Sequence, residues 1–183
     1  MASPSKEEQI LVLILENSPF KHWHFEEILK KIDMTRAAAN KWLNKYQKEG
    51  LLKKVKEKGK FPYFTVGSNN PEYQSKKRLY MLTKLYQSGM IKDLIKLGKA
   101  KTIILFGSIA KGDWYKNSDI DIFIYGTSKG FEKIKYELEL QRDIELHIFD
   151  TIKEIKKVKN GLINNVINGY VIKGSIQDIA EVA

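Results

Sequence analysis

The chain has no cysteine in its 183 residues, which excludes disulfide bridges and thiolate metal centres. It also lacks any apolar run long enough to span a bilayer. Its first residues, Met1-Ala2-Ser3-Pro4-Ser5-Lys6-Glu7-Glu8, show no basic-then-apolar signal pattern, so a cytoplasmic location with no membrane partner is expected. There is no internal repeat and no low-complexity tract. A glycine-lysine P-loop pattern and a serine–histidine–acid arrangement are both missing, which argues against a P-loop NTPase and a triad hydrolase. What is abundant is positive charge. Thirty-two lysines and arginines face 22 acidic residues, for a net charge of +10 and a pI near 9.5. That balance suits a polyanionic partner such as nucleic acid or nucleotide, and equally a lysine-rich solvated surface. The 43% hydrophobic content is enough for packed cores in one large domain or two small ones.

The first third reads as three helices and a hairpin. Ser5 with Glu8 forms a capping-box pattern ahead of the apolar run Ile10 to Leu15. Phe25, Ile28, Leu29 and Ile32 have helical spacing, and Asp33-Met34 makes a turn before Thr35, which is placed to cap a third helix. That helix aligns Ala39, Trp42, Leu43 and Tyr46 on one face and ends at Gly50. His22 and His24, with no acidic cluster at metal spacing, are read as structural residues in a loop. Leu51 to Lys56 and Phe61 to Val66, around Glu57-Lys58-Gly59-Lys60, read as two hairpin strands, with Pro62 confining the second to an edge or irregular position. Residues 5–67 thereby resemble a winged helix-turn-helix module. Eight lysines against Glu49 and Glu57 between Lys41 and Lys60 give a local excess of +6. The resemblance implies that the third helix faces DNA, with Lys41 and Lys45 on phosphates and Arg36, Asn40 and Asn44 reaching base edges. Such modules also serve as protein–protein or substrate-positioning domains.

Gly67-Ser68-Asn69-Asn70-Pro71 is rich in turn residues and marks a boundary. The expected organisation is residues 1–70 as the first domain, 71–89 as a connecting helix and 90–183 as the second domain.

In the second domain, Thr102-Ile103-Ile104-Leu105-Phe106 is a β-branched apolar run that ends at Gly107-Ser108. Such a turn can bring backbone N–H groups close to a phosphate, and Gly112 is placed to close the turn that follows. Ten residues separate Ser108 from Asp119-Ile120-Asp121-Ile122. Alternation along a strand puts Ile120, Ile122 and Ile124 on one face and Asp119, Asp121 and Phe123 on the other. Two carboxylates roughly 6.5–7 Å apart along one strand can converge on a divalent cation. A third strand, Asp143 to Phe149, presents Asp143, Glu145 and His147 opposite Ile144, Leu146 and Ile148. Glu145 offers a third carboxylate to take or orient a proton or to complete a metal site, and His147 is read as a rim or hydrogen-bonding residue.

Gly107-Ser108, the ten-residue gap, Asp119-Ile120-Asp121 and Ile144-Glu145-Leu146 together resemble the DNA polymerase beta-like nucleotidyltransferase superfamily, in a compact form like the minimal nucleotidyltransferase domains of bacteria and archaea. The resemblance covers about residues 90–175. It implies an α/β (α+β) architecture: an N-terminal winged helix-turn-helix plus a nucleotidyltransferase fold with a mixed sheet flanked by helices. It further implies Gly107, Ser108 and Lys111 on an NTP triphosphate, Asp119 and Asp121 on Mg²⁺ or Mn²⁺, and Glu145 as the third catalytic and metal-binding carboxylate, where an aspartate is more common. Trp114 and Tyr115 are candidates for stacking on a base. The implied reaction moves a nucleoside monophosphate from an NTP such as ATP to an acceptor hydroxyl, releasing pyrophosphate, with duplex DNA, RNA, a partner protein or a second copy as possible partners. The alternative is a DNA-binding regulator, antitoxin-like, whose second domain senses nucleotide or binds a partner.

Overall fold

The computed structural model describes residues 4–67 and 70–180. Ser68 and Asn69, in the middle of the expected boundary, lie outside the described residues, as do the first three residues of the chain. The chain divides into two compact units, residues 1–76 and 77–183.

The first unit begins with α1 (Lys6–Glu16), capped as the sequence indicates. The Ser5 hydroxyl accepts from the Glu8 backbone N–H, and the Glu8 carboxylate accepts from the Ser5 N–H at 2.7 Å. Then come β1 (Trp23–His24), α2 (Phe25–Ile32), α3 (Arg36–Lys48), β2 (Leu52–Val55) and β3 (Tyr63–Val66). The Thr35 side chain accepts from the Ala38 N–H and caps α3, while Gly50, at φ 72°, lets the chain leave α3. Ile10, Ile14, Leu15, Ile28, Leu43, Trp23 and Leu51 are each 1% exposed or less and form the core.

The three strands make an antiparallel sheet in the order β1-β3-β2. Two readings change here. His24 belongs to a two-residue strand rather than a loop, and its partner is Tyr63. The second hairpin strand is central, not an edge. Pro62 sits one residue before it, so the missing N–H falls outside the ladder, and the Pro62 carbonyl lies 3.3 Å from His24 Nδ1.

Between the strands of the two sheets run α4 (Pro71–Gln87) and α5 (Met90–Ile95). The second unit then continues through β4 (Ala100–Phe106), α6 (Gly107–Lys111), β5 (Ile120–Gly126), α7 (Lys133–Leu140), β6 (Ile144–Phe149), α8 (Ile152–Ile155), α9 (Asn160–Ile167), β7 (Tyr170–Lys173) and α10 (Gln177–Ala180). Its sheet is mixed, ordered β6-β5-β4-β7. β5 is antiparallel to β4 and parallel to β6, and β4 is antiparallel to β7.

One face of this sheet packs Ile104, Phe106 and Phe123 against Ile155 of α8, Ile163 and Val166 of α9, and Ile179 of α10. The other face buries Ile103, Leu105, Ile120, Ile122 and Ile124 completely. Phe123 therefore shares the face of Asp121, as alternation indicates, and lies in the core. With both faces covered, a central strand reads as nearly continuous apolar sequence, and alternation survives only at its polar end. No described helix is long and apolar enough to cross a membrane.

Candidate active site

The polar end of the sheet is built by register. Phe106, the last residue of β4, pairs with Asp121 of β5, and Asp121 pairs with Glu145 of β6. Adjacent strands run about 4.8 Å apart, so an in-register pair brings the two carboxylates side by side. His147 follows two residues after Glu145, on the same face and in register with Phe123.

Asp121, Glu145 and His147 each offer a ligand atom, and the three atoms lie within 4.8 Å of one another. His147 Nε2 is 3.3 Å from Glu145 Oε1, and the imidazole meets the Phe106 ring edge-on at a centroid distance of 5.1 Å. The aromatic contact fixes the ring plane while one nitrogen stays turned toward the carboxylates. His147 thus makes the polar contact expected of a hydrogen-bonding residue and belongs to the cluster.

Gly107 completes the geometry. Its φ is 71°, and a Cβ built there would stand 2.0 Å from Asp121 Oδ2. Only glycine lets the turn after β4 lie directly on this carboxylate. Gly112, at φ 78°, closes α6 through N–H bonds to the Ile109 and Ser108 carbonyls. The Asp121 carboxyl is held above its ordinary value, first by partial burial and then by the Glu145 charge, while His147 acts in the opposite sense and Asp119 adds to the rise. A group so placed accepts a cation readily, because a bound positive charge relieves both effects.

The remaining expected residues are arranged as follows. Asp119 immediately precedes β5, is exposed, and stands outside the three-residue group, although its charge reaches Asp121. Ser108 lies in the first turn of α6, and its carbonyl accepts from the Gly112 and Asp113 N–H groups. Lys111 is exposed, and its Nζ donates to Asn165 Oδ1 of α9 at 2.9 Å. Trp114 is completely buried, so it has no face free for a base. It stacks on Tyr80 with ring centroids 5.9 Å apart, as a core residue does.

The segment from Asp113 to Ser118, which leads into Asp119, is held from below by two buried cations. Lys77 donates to the Trp114 carbonyl. Arg142 donates to the Tyr115 and Ser118 carbonyls at 2.6 and 2.8 Å. Sequence gives little sign of either role, because Lys77 stands in an ordinary basic run, Lys76-Lys77-Arg78, and Arg142 in a charged helix end.

In the first unit, the α3 residues expected to face nucleic acid differ in what they have to offer. Arg36 pairs with Glu26 at 2.6 Å, and Lys45 pairs with Glu7 at 2.5 Å and lies 3.8 Å from Glu49. Lys41 Nζ sits 4.5 Å over the Trp42 ring. Asn44 Oδ1 accepts from Gln47 Nε2 at 3.2 Å. Asn40 lines a cleft described below.

Compared with known families, the second unit is distinctive. Residues 90–177 match the model of the family described as Polymerase beta, Nucleotidyltransferase. The matched segment runs from the start of α5 to the start of α10, spans just under half of the chain, and contains the Gly107 turn and all three clustered side chains. The match supports nucleotidyltransferase character at the level of the family. No curated protein matches the chain. Solved structures similar to it include a toxin–antitoxin with AMP-PNP, at 22% identity, and a mutant of the toxin–antitoxin MntA-HpeT, at 20%. Each comparison covers 58% of this chain and 80% of the other, with a TM-score of 0.36.

Proposed function

We propose that this protein is a divalent-metal-dependent nucleotidyltransferase that moves a nucleoside monophosphate from an NTP to an acceptor hydroxyl and releases pyrophosphate. One observation carries the reading: Asp121, Glu145 and His147 converge beside the Gly107 turn, within a segment matching a nucleotidyltransferase family. Two carboxylates and an imidazole form a donor set that suits Mn²⁺ and also serves Mg²⁺. Asp121 and Glu145, with Asp119 beside them, would hold the cation, and His147 would contribute a nitrogen. When bound, the metal would neutralise charge on the attacking and leaving oxygens.

The chain's own groups do the remaining work by position. The Gly107 backbone, free of a Cβ, lets the turn and the Asp121 carboxylate lie against each other, so a phosphate on the turn would sit beside the cation, and Ser108 adds a hydroxyl donor. Lys111, tethered to Asn165, offers a positive charge to the triphosphate. Glu145 is exposed and lies beside the cluster, where it can accept the proton of an incoming hydroxyl. Arg142 and Lys77 keep the approach to Asp119 in one conformation, which lowers the cost of ordering that loop around a substrate.

For the first unit we propose a winged helix-turn-helix domain, with its three helices and its β2–β3 hairpin, that binds nucleic acid or positions the acceptor. The excess of lysine on the hairpin supports this.

The test is incubation with each labelled NTP, Mg²⁺ or Mn²⁺, and a panel of RNA 3′ ends, proteins and small alcohols. Label transfer in wild type and its loss in Asp121→Asn supports the reading. NTP binding without transfer to any acceptor would instead favour a nucleotide-sensing regulator.

A further inference from the structure

The first unit holds a cleft of about 570 Å³ that no catalytic role uses. Phe25 of α2, Asn40 of α3, Lys54 of β2, and Phe61 and Phe64 from the second arm of the hairpin line it, with Glu26 at one wall. Its size falls within the range that accommodates a small planar ligand. Phe61 is 86% exposed, the largest exposure of any large apolar side chain described. Phe61 stands in solvent and Phe25 is half-buried, with the buried Phe64 between the strands beneath, so the cleft offers an apolar surface to a flat partner.

The charge around this cleft is one-sided. Lys54 Nζ lies 5.9 Å from the Phe64 ring centroid, at the lip of the cleft. Lys56 and Lys58 follow on the same hairpin and form no ion pair among the described residues, whereas Lys53 points to the other face of the sheet. Glu26, the one acid on the lining, is already paired with Arg36. The two cationic side chains of α3 with clear ion pairs, Arg36 and Lys45, are neutralised within the unit. Positive charge outside ion pairs thus lies on the hairpin, with Lys54 in the cleft lining, while Lys41 and Lys48 of α3 also form no ion pair among the described residues.

We infer that this cleft binds an unpaired base of single-stranded nucleic acid, with the hairpin lysines following the adjoining phosphates. Phe61 and Phe25 supply the stacking faces, which accept any base, and the Asn40 amide reaches the base edge as donor and acceptor. Aromatic walls with a lysine rim favour a nucleobase over a protein side chain: the phenyl faces match its flat surface, and the lysines match the charge of its backbone. The inference deepens the proposed role of the first unit and does not depend on nucleotidyl transfer by the second.

The experiment is fluorescence anisotropy of the full-length protein with a labelled short oligoadenylate, single-stranded or annealed to its complement, at low salt in EDTA and without NTP. The single strand should bind more tightly than the duplex. Phe61→Ala should weaken single-strand binding on the order of 5- to 100-fold, the loss of stacking on one base, and Phe61→Trp should restore it. Lys54→Ala should make the salt dependence of binding shallower by about one ion. Equal or tighter duplex binding that is indifferent to Phe61→Ala overturns the inference. Absence of binding to either probe also overturns it and leaves the cleft to a protein partner. Because neither metal nor NTP is present, failure of the transfer assay leaves this result intact, and the reverse holds as well.

Discussion

Lys77 and Trp114 hold each other from both ends. The Lys77 ammonium donates to the Trp114 carbonyl, and the Trp114 indole N–H donates back to the Lys77 carbonyl at 3.2 Å. The same ammonium lies 4.6 Å from the indole centroid, where the ring face attracts a cation. This pair fastens α4 to the loop that delivers Asp119.

Burial lowers the Lys77 pKa to about 8 from an ordinary 10.5, with Arg142 adding to the depression and Asp113 opposing it. Between those two values the native lysine has released a proton that the unfolded lysine still holds. Unfolding then takes up a proton, so this group's contribution to stability rises as pH rises through that window. Lys77→Met leaves the buried Trp114 carbonyl without this donor but also removes the cost of burying the charge, so its loss of stability should be smaller at pH 7 than at pH 10.5. The difference in unfolding free energy between wild type and variant should widen from pH 8 to pH 10.5 in urea titrations. A constant difference would contradict the assignment.

Gly107→Ala should damage fold and site together. Alanine is strained at φ 71°, and its Cβ would meet the Asp121 carboxylate. A loss of at least about 1 kcal/mol is expected from the backbone conformation alone. Displacement of Asp121 should also weaken metal binding, measured by calorimetry under conditions where the variant remains folded. Unchanged cation affinity would show that the close approach is incidental.

Asp121→Asn should stabilise the metal-free protein by about 0.5–1 kcal/mol, the low end of what relief of a strained functional site gives. The reason is the sign of its shift. A carboxyl whose pKa is raised by burial and Glu145 binds protons more readily in the native than in the unfolded state. Its contribution to stability is therefore greatest at low pH and declines as pH rises from the ordinary value of 3.8 through the raised one. Asparagine removes that charge. The same variant should lose the rise in melting temperature that Mn²⁺ gives to wild type. Lower stability without metal would mean that Asp121 is a structural carboxylate.

His147→Ala should reduce affinity for Mn²⁺ on the order of 10-fold and leave Mg²⁺ affinity less affected, since an imidazole nitrogen suits the softer ion. Equal losses for both ions would indicate that His147 acts only through its contact with Glu145.

Local chemistry was the legible part of this sequence. The Ser5–Glu8 box, the Thr35 cap and the glycine exits at Gly50 and Gly112 depend on residues within four positions of each other, and all are present in the structure. The Gly107 turn was legible for the same reason. Features set by distant partners were not. Arg36 and Lys45 read as free cations because their acidic partners, Glu26 and Glu7, lie on other helices. Trp114 read as a loop aromatic because the lysine and tyrosine that bury it come from α4. For His147 alternation left a rim or a hydrogen-bonding role open, because it assigns a face, whereas the approach to Asp121 is set by the register between β5 and β6.

That register has a kinetic consequence. β4 and β5 are antiparallel neighbours joined by a short helix and loop, but β6 reaches β5 in parallel only after the chain has crossed back through α7. A parallel pairing of this kind cannot start from a tight turn and zip outward, since its crossover must be brought round before the first contact compensates for the entropy of closure. A nascent or partly folded chain would thus carry Asp121 without Glu145 or His147. The cluster comes into being only when β6 docks on β5, so cation binding in this protein would report that edge of the sheet and not the β4–β7 edge.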